Sequence, residues 1–150
     1  MNNRDNWVPS DLFEKRKRKY KKDKTGETQA RSIPIINPLH EYRVPPHSTG
    51  LCWFELYLNE SKHVDINTFS TRSGADTELG IYNQDGTLLY TNDDTQGLRS
   101  QIFMQLLPGI YYIVVGLYDT TFYDNFNVEP GHMFIPGHLF YDDVKLSIKF

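Results

Sequence analysis

The sequence predicts an all-β fold, an antiparallel, jelly-roll-like β-sandwich preceded by an extended basic N-terminal arm. Three observations predict it. From Leu51 onward, short apolar and aromatic runs recur between turn-forming residues, as the strands of a sandwich do. The C-terminal "FYDDVKLSIKF" alternates Val144, Leu146, Ile148 and Phe150 with Asp143, Lys145, Ser147 and Lys149, giving a strand one buried and one wet face. Charge is divided along the chain: Met1 to Arg31 holds ten basic and five acidic residues, a surplus of +5, so the rest of a chain of net charge −3 carries −8.

Residues 1–31 read as an arm. Lys15, Arg16, Lys17, Arg18, Lys19, Lys21, Lys22 and Lys24 fall within ten positions, flanked by Trp7, Leu12, Phe13 and Tyr20. Asp11 and Glu14 resemble a capping box. The helix they would start carries cations all round and has no broad apolar face, so it needs a contact to order it. Residues 32–50, with Pro34, Pro38, Pro45 and Pro46, read as an extended linker or first edge strand, since proline gives nothing to a ladder.

The sandwich domain is expected over 51–150. Leu51 to Leu58, "LCWFELYL", is a mostly buried strand. His63 to Phe69 alternates Val64 and Ile66 against His63, Asp65 and Asn67. "TELGIYN" and "TLLYTND" flank Gln84-Asp85-Gly86, a hairpin turn in which glycine supplies the positive φ. "SQIFMQLL", the Pro108-Gly109 turn and "IYYIVVGLY" give another strand pair. Residues 119–138, "DTTFYDNFNVEPGHMFIPGH", show no clear strand. A loop of that length is either a partner-contacting insertion, with Phe122, Tyr123, Phe126 and Phe134 as contacts, or a self-packed lid over one end of the sandwich.

A lone cysteine, Cys52, excludes an internal disulfide and reads as a buried structural thiol. No apolar run reaches the length of a membrane span, and the N-terminus lacks an apolar segment before a cleavage site, so neither membrane insertion nor a signal peptide is expected.

Two stretches carry a family resemblance. Asp76 to Gly86, followed by Leu88, Leu89 and Asn92-Asp93-Asp94, and Leu107 to Val115 with its Pro-Gly-x-Tyr-Tyr run, resemble the bacterial pre-peptidase C-terminal domain family. These small β-sandwiches are appended to secreted proteases and collagenases. The resemblance spans about Leu51 to Gly116. It implies a non-catalytic accessory module; some members bind calcium, collagen or other polymers.

Candidate sites follow from side-chain chemistry. Asp76, Asp93 and Asp94 fall at one end of the predicted hairpin, and calcium is the cation their carboxylates would take, although turn-forming Asp and Asn residues account for the same pattern. The resemblance implies that acids of the leading linker join such a site, as in the collagenase modules; here the linker offers only Glu41. His40, His47, His63, His132 and His138 lack the close pairing of a zinc site. No G-x-S-x-G elbow or phosphate-cradling loop occurs, so an enzyme is not expected.

The arm, with Trp7, Leu12, Phe13, Lys15 to Lys19, Tyr20, Lys21 and Lys22, suits an acidic protein neighbour, a second copy of the chain, or nucleic acid held without sequence preference. An export-type module without a signal peptide or disulfides suggests a virus particle, assembled in a reducing host cytoplasm. The expectation is a bacteriophage-type virion structural protein, a capsid decoration or accessory subunit gripping neighbouring subunits. The alternative is a ligand-binding module for carbohydrate or protein polymers, with Tyr118, Phe122, Tyr123 and Phe126 as a platform.

Overall fold

A computed structural model of the chain describes residues 24–36, 39–45, 47, 49–71, 75–95, 97–131 and 144–150. The arm through residue 23, and with it Trp7, Leu12, Phe13, Tyr20 and the basic run before Lys24, lies outside the described residues, as does Phe134.

Two sheets pack face to face. The strands are β1 (Ile33–Pro34), β2 (Leu39–Arg43), β3 (Cys52–Leu58), β4 (Lys62–Asn67), β5 (Thr77–Asn83), β6 (Leu88–Asn92), β7 (Gln101–Leu106), β8 (Gly109–Leu117), β9 (Thr121–Tyr123), β10 (Asn127–Glu129) and β11 (Lys145–Lys149). One sheet runs β1-β3-β8-β5-β6, the other β2-β11-β4-β7, and β9-β10 forms a separate hairpin. The pairings are antiparallel except for β1 with β3, where Ile33 and Pro34 lie parallel to Phe54 and Glu55. That short parallel edge tolerates Pro34, whose ring has no N–H to offer a ladder.

Alternation decides which side chains enter the core. Phe54, Leu56, Val64, Ile66, Leu79, Ile81, Ile102, Ile113, Val115, Leu146 and Ile148 meet between the sheets, each wholly buried. Full burial of each aliphatic side chain is worth about 1.5–3 kcal/mol. Val144 and Tyr111 join them, and Phe150 packs alongside. Cys52 lies in the same layer, and burial pushes its thiol up to about 12.

The outer face of the five-stranded sheet is also covered. Leu51, Trp53, Tyr82 and Val114 form a second apolar cluster under Phe122, Phe126 and Val128 of the β9-β10 hairpin. The Phe126 ring lies 5.3, 5.4 and 6.2 Å from the centroids of Tyr112, Tyr82 and Trp53. Tyr82 donates its hydroxyl hydrogen to the Tyr123 carbonyl at 2.7 Å. Gly80 makes the close approach possible, since a Cβ there would sit 2.7 Å from the Phe122 ring.

The expectation of a strandless loop from 119 to 138 is therefore corrected. Residues 121–123 and 127–129 pair as strands. Their three-residue lengths and the intervening Asp124-Asn125-Phe126 turn give alternation too little chain in which to register. The hairpin lies over a sheet face, whereas the lid was expected over one end.

Candidate functional site

Asp76 immediately precedes β5, and Asp93 and Asp94 immediately follow β6. Because these strands are antiparallel neighbours, with Leu79 opposite Asn92, the three residues arrive at one end of the sandwich. One carboxylate oxygen from each lies within 4.8 Å of the others. Asp76 is half-buried, Asp93 and Asp94 are exposed, and Asp76 Oδ1 is buried without a hydrogen-bond partner.

A buried knot of hydroxyls supports this end. Thr68, Thr77 and Ser100 are fully buried. Thr68 Oγ1 and Thr77 Oγ1 are 2.6 Å apart, and the Ser100 amide donates to Thr68 Oγ1 at 2.9 Å. The Ser100 hydroxyl lies against the carbonyls of Thr77 and Asp93. Arg99 donates from Nε to the Thr71 carbonyl and from Nη1 to that of Ala75, at 3.1 and 2.9 Å. Asn92 Oδ1 accepts from the Thr95 hydroxyl and the Gln101 amide. Both loops carrying the acids are thereby fixed to strand ends, which holds the carboxylates close despite their repulsion.

That repulsion is visible in the protonation equilibria. Burial, then the charges of Asp94 and Asp93, raise the Asp76 pKa, with Arg99 opposing. Burial and then Asp94 raise that of Asp93. Glu78, on β5, is pushed up to about 7 by burial and by the charges of Asp93 and Asp76, although the Asp119 and Thr120 amides oppose the shift. Glu78 Oε2 accepts from the Asp119 amide at 2.7 Å. A divalent cation would reverse this penalty, since opposite charge favours ionised carboxylates. Calcium takes six to eight oxygens, so the trio would be completed by backbone carbonyls or water.

Other sequence-derived candidates are placed differently. Glu41, on β2, pairs with Lys145 at 4.0 Å and is not part of the acid trio. Phe122 and Phe126 pack on the second cluster, leaving Tyr118 and Tyr123 as the exposed members of the proposed platform, 55% and 46% exposed. The structure does not bring the four rings together as one exposed surface. His63 stacks on Phe103 with centroids 6.0 Å apart, and His47 Nε2 lies 2.6 Å from the Thr25 carbonyl.

Two features escaped the sequence reading. Glu78 reads as an ordinary polar position in a strand, and its partners Asp119 and Thr120 are some forty residues away. A groove of about 440 Å³ lies between residues 27–29, Thr49 and the β9-β10 hairpin, floored by Leu51, Trp53 and Phe126. It needs a hairpin that alternation did not reveal.

Comparison with known proteins shows the fold. No protein-family model matches the chain, and no curated protein does. Among solved structures, the pre-peptidase C-terminal domain of a collagenase from Bacillus anthracis superposes with a TM-score of 0.50 at 12% identity, covering 79% of this chain and 92% of that one. CorA, described as a surface-associated copper-binding protein of Methylomicrobium album BG8, superposes with a TM-score of 0.46 at 12% identity, covering 79% and 97%. The β-sandwich is thus like that of the pre-peptidase C-terminal domain.

Proposed function

We propose that this chain is a non-enzymatic structural subunit of a bacteriophage-type virion, a capsid decoration or accessory protein. Its sandwich presents an acidic body, and its arm grips neighbouring virion proteins. The observation that carries the reading is the division of charge, +5 on residues 1–31 against −8 on the remainder. A basic arm flanked by Trp7, Leu12, Phe13 and Tyr20 suits an acidic neighbour, with rings as anchors and cations steering the encounter. Contacts made only in the assembled state deepen that state by mass action. The fold is consistent with a module that acts by binding.

The test is quantitative mass spectrometry of gradient-purified particles. A fixed copy number relative to the major shell protein, lost when residues 1–31 are deleted, is expected. Absence from particles refutes the virion assignment. Retention of the truncated chain refutes the role of the arm.

A second reading, a calcium-dependent module for carbohydrate or protein polymers, is favoured by the acid trio. Its Asp76 Oδ1 is buried with no hydrogen-bond partner. Tyr118 and Tyr123 remain exposed for such a polymer. Retention on immobilised polysaccharide, lost in Tyr123→Ala, would favour it over the virion reading.

A further inference from the structure

Strands at sheet edges expose unpaired backbone groups, and proteins normally blunt them with charges, proline, bulges or a cover. Among the described residues, three of the four edges of the two packed sheets are blunted. β1 is two residues long and contains Pro34. β2 carries Glu41 and Arg43. β6 is bulged opposite Ile81 and Tyr82, and the Asp124 carboxylate caps the Leu88 amide at 2.8 Å.

β7 has none of these devices along most of its length. From Ser100 to Pro108 the chain has no charged residue. Ile102, Met104 and Leu106 face β4, because Ser100, in phase with them, bonds to Thr68 beyond the end of β4. Gln101 points the other way, its amide held by Asn92 Oδ1. By alternation, the N–H and C=O groups of Phe103 and Gln105 also point away from β4. Among the described residues those groups have no partner. The Phe103 side chain is 64% exposed, and His63 stacks on it.

We propose that β7 pairs antiparallel with β7 of a second copy across a two-fold axis, joining two four-stranded sheets into one. The register follows from the open groups. Placing Phe103 opposite Gln105 of the other copy uses all the outward N–H and C=O groups of both residues in a closed set of hydrogen bonds. The axis then passes between the two Met104 residues. On the outer face the two Phe103 rings become diagonal neighbours, roughly 7–8 Å apart and within reach of each other. They extend the His63–Phe103 stack into a four-ring stripe.

Self-complementarity selects a second copy as the occupant. The outward groups sit on Phe103 and Gln105, symmetric about Met104, so the edge matches itself across a two-fold axis. The uncharged run from Ser100 to Pro108 sets no like charges opposite one another in that pairing. The contact is isologous, so it closes at two and does not propagate. An interface of one strand edge is small, and an affinity in the micromolar range is expected. The inference does not depend on the arm or on the virion reading.

Sedimentation equilibrium of the full chain from about 1 μM to 1 mM tests it. The expected result is a monomer–dimer equilibrium whose dissociation constant changes no more than about threefold between 0.1 and 0.5 M NaCl, since neutral groups make the contact. Gln105→Pro removes one outward N–H while leaving the β4 ladder intact, as proline is tolerated on an edge facing away from the sheet. Phe103→Lys keeps the backbone groups and puts a cation in each copy beside the axis. Each substitution is expected to weaken the dimer roughly tenfold or more, with circular dichroism and melting temperature reporting the fold. Should Gln105→Pro fail to fold, Phe103→Lys decides. A chain monomeric throughout the range overturns the proposal. So does a dimer of unchanged affinity in the folded variants, or one that dissociates in salt as a contact between basic arm and acidic body would.

Discussion

Glu78→Gln separates a buried carboxylate's charge from its role as a hydrogen-bond acceptor. Wild-type Glu78 has an ordinary value of 4.5 and is pushed up to about 7 in the fold, by burial first and then by Asp93. The folded chain therefore holds this proton more tightly than the unfolded chain. The stability it contributes is full below pH 4.5 and is lost as pH rises through about 7. A difference of this size corresponds to at most about 3 kcal/mol. Water around the exposed Asp93 and Asp94 screens the Coulombic share, leaving about 2 kcal/mol. Glutamine keeps an oxygen for the Asp119 amide and cannot ionise. Melting temperature is the assay, at pH 5 and pH 8 without divalent cations. Between those pH values the variant should gain about 4–8 °C relative to wild type, at roughly 2–4 °C per kcal/mol for a domain of this size. Any pH-independent cost of the substitution cancels in that difference. Parallel pH profiles for the two proteins would refute the burial and repulsion argued for Glu78.

Calcium should stabilise the wild-type chain by about 2.7 kcal/mol at a hundredfold excess over its dissociation constant. In a thermal-shift titration the melting temperature should keep rising with the logarithm of calcium concentration above the dissociation constant, and the response should be lost in Asp76→Asn; a wild-type chain indifferent to calcium would remove the cation reading. Phe126→Ala should cost about 2 kcal/mol by urea denaturation, below the usual range for a fully buried phenylalanine because this ring is half-buried. A loss under 0.5 kcal/mol would mean that the hairpin contributes little to holding the outer face of the sheet.

The sequence made the inter-sheet core legible because strand alternation is a local signal. Leu79, Ile81, Tyr111, Ile113 and Val115 all lie in that core, at alternate positions of β5 and β8. The acid trio was legible for a related reason: Asp76 and Asp93-Asp94 bracket two strands joined by an Asp-Gly turn, and a hairpin brings its ends together. Gly86, at φ +90°, makes that turn. The β9-β10 hairpin was hidden because its strands are three residues long and Phe126 sits at φ +59°, a conformation a bulky side chain rarely adopts and composition does not announce. The tight packing of Phe126 against three aromatic rings stabilises it there. The polar Glu78 was missed because its environment is assembled from Asp93 and from Asp119-Thr120, two segments distant from it in the chain.

The position of β11 has a consequence for biosynthesis. β11 lies between β2 and β4, so it is central in its sheet although it is the last strand in chain order. Roughly a hundred residues separate β2 from it. At roughly 5–20 residues per second on the ribosome, β2 emerges about 5–20 s before the strand that pairs with it. Through that interval the nascent four-stranded sheet is split, with β2 and the β4-β7 pair lacking the strand that joins them. Pairing over so long a separation is non-local, the kind that forms late in folding. Final cooperativity arrives once β11 has been translated.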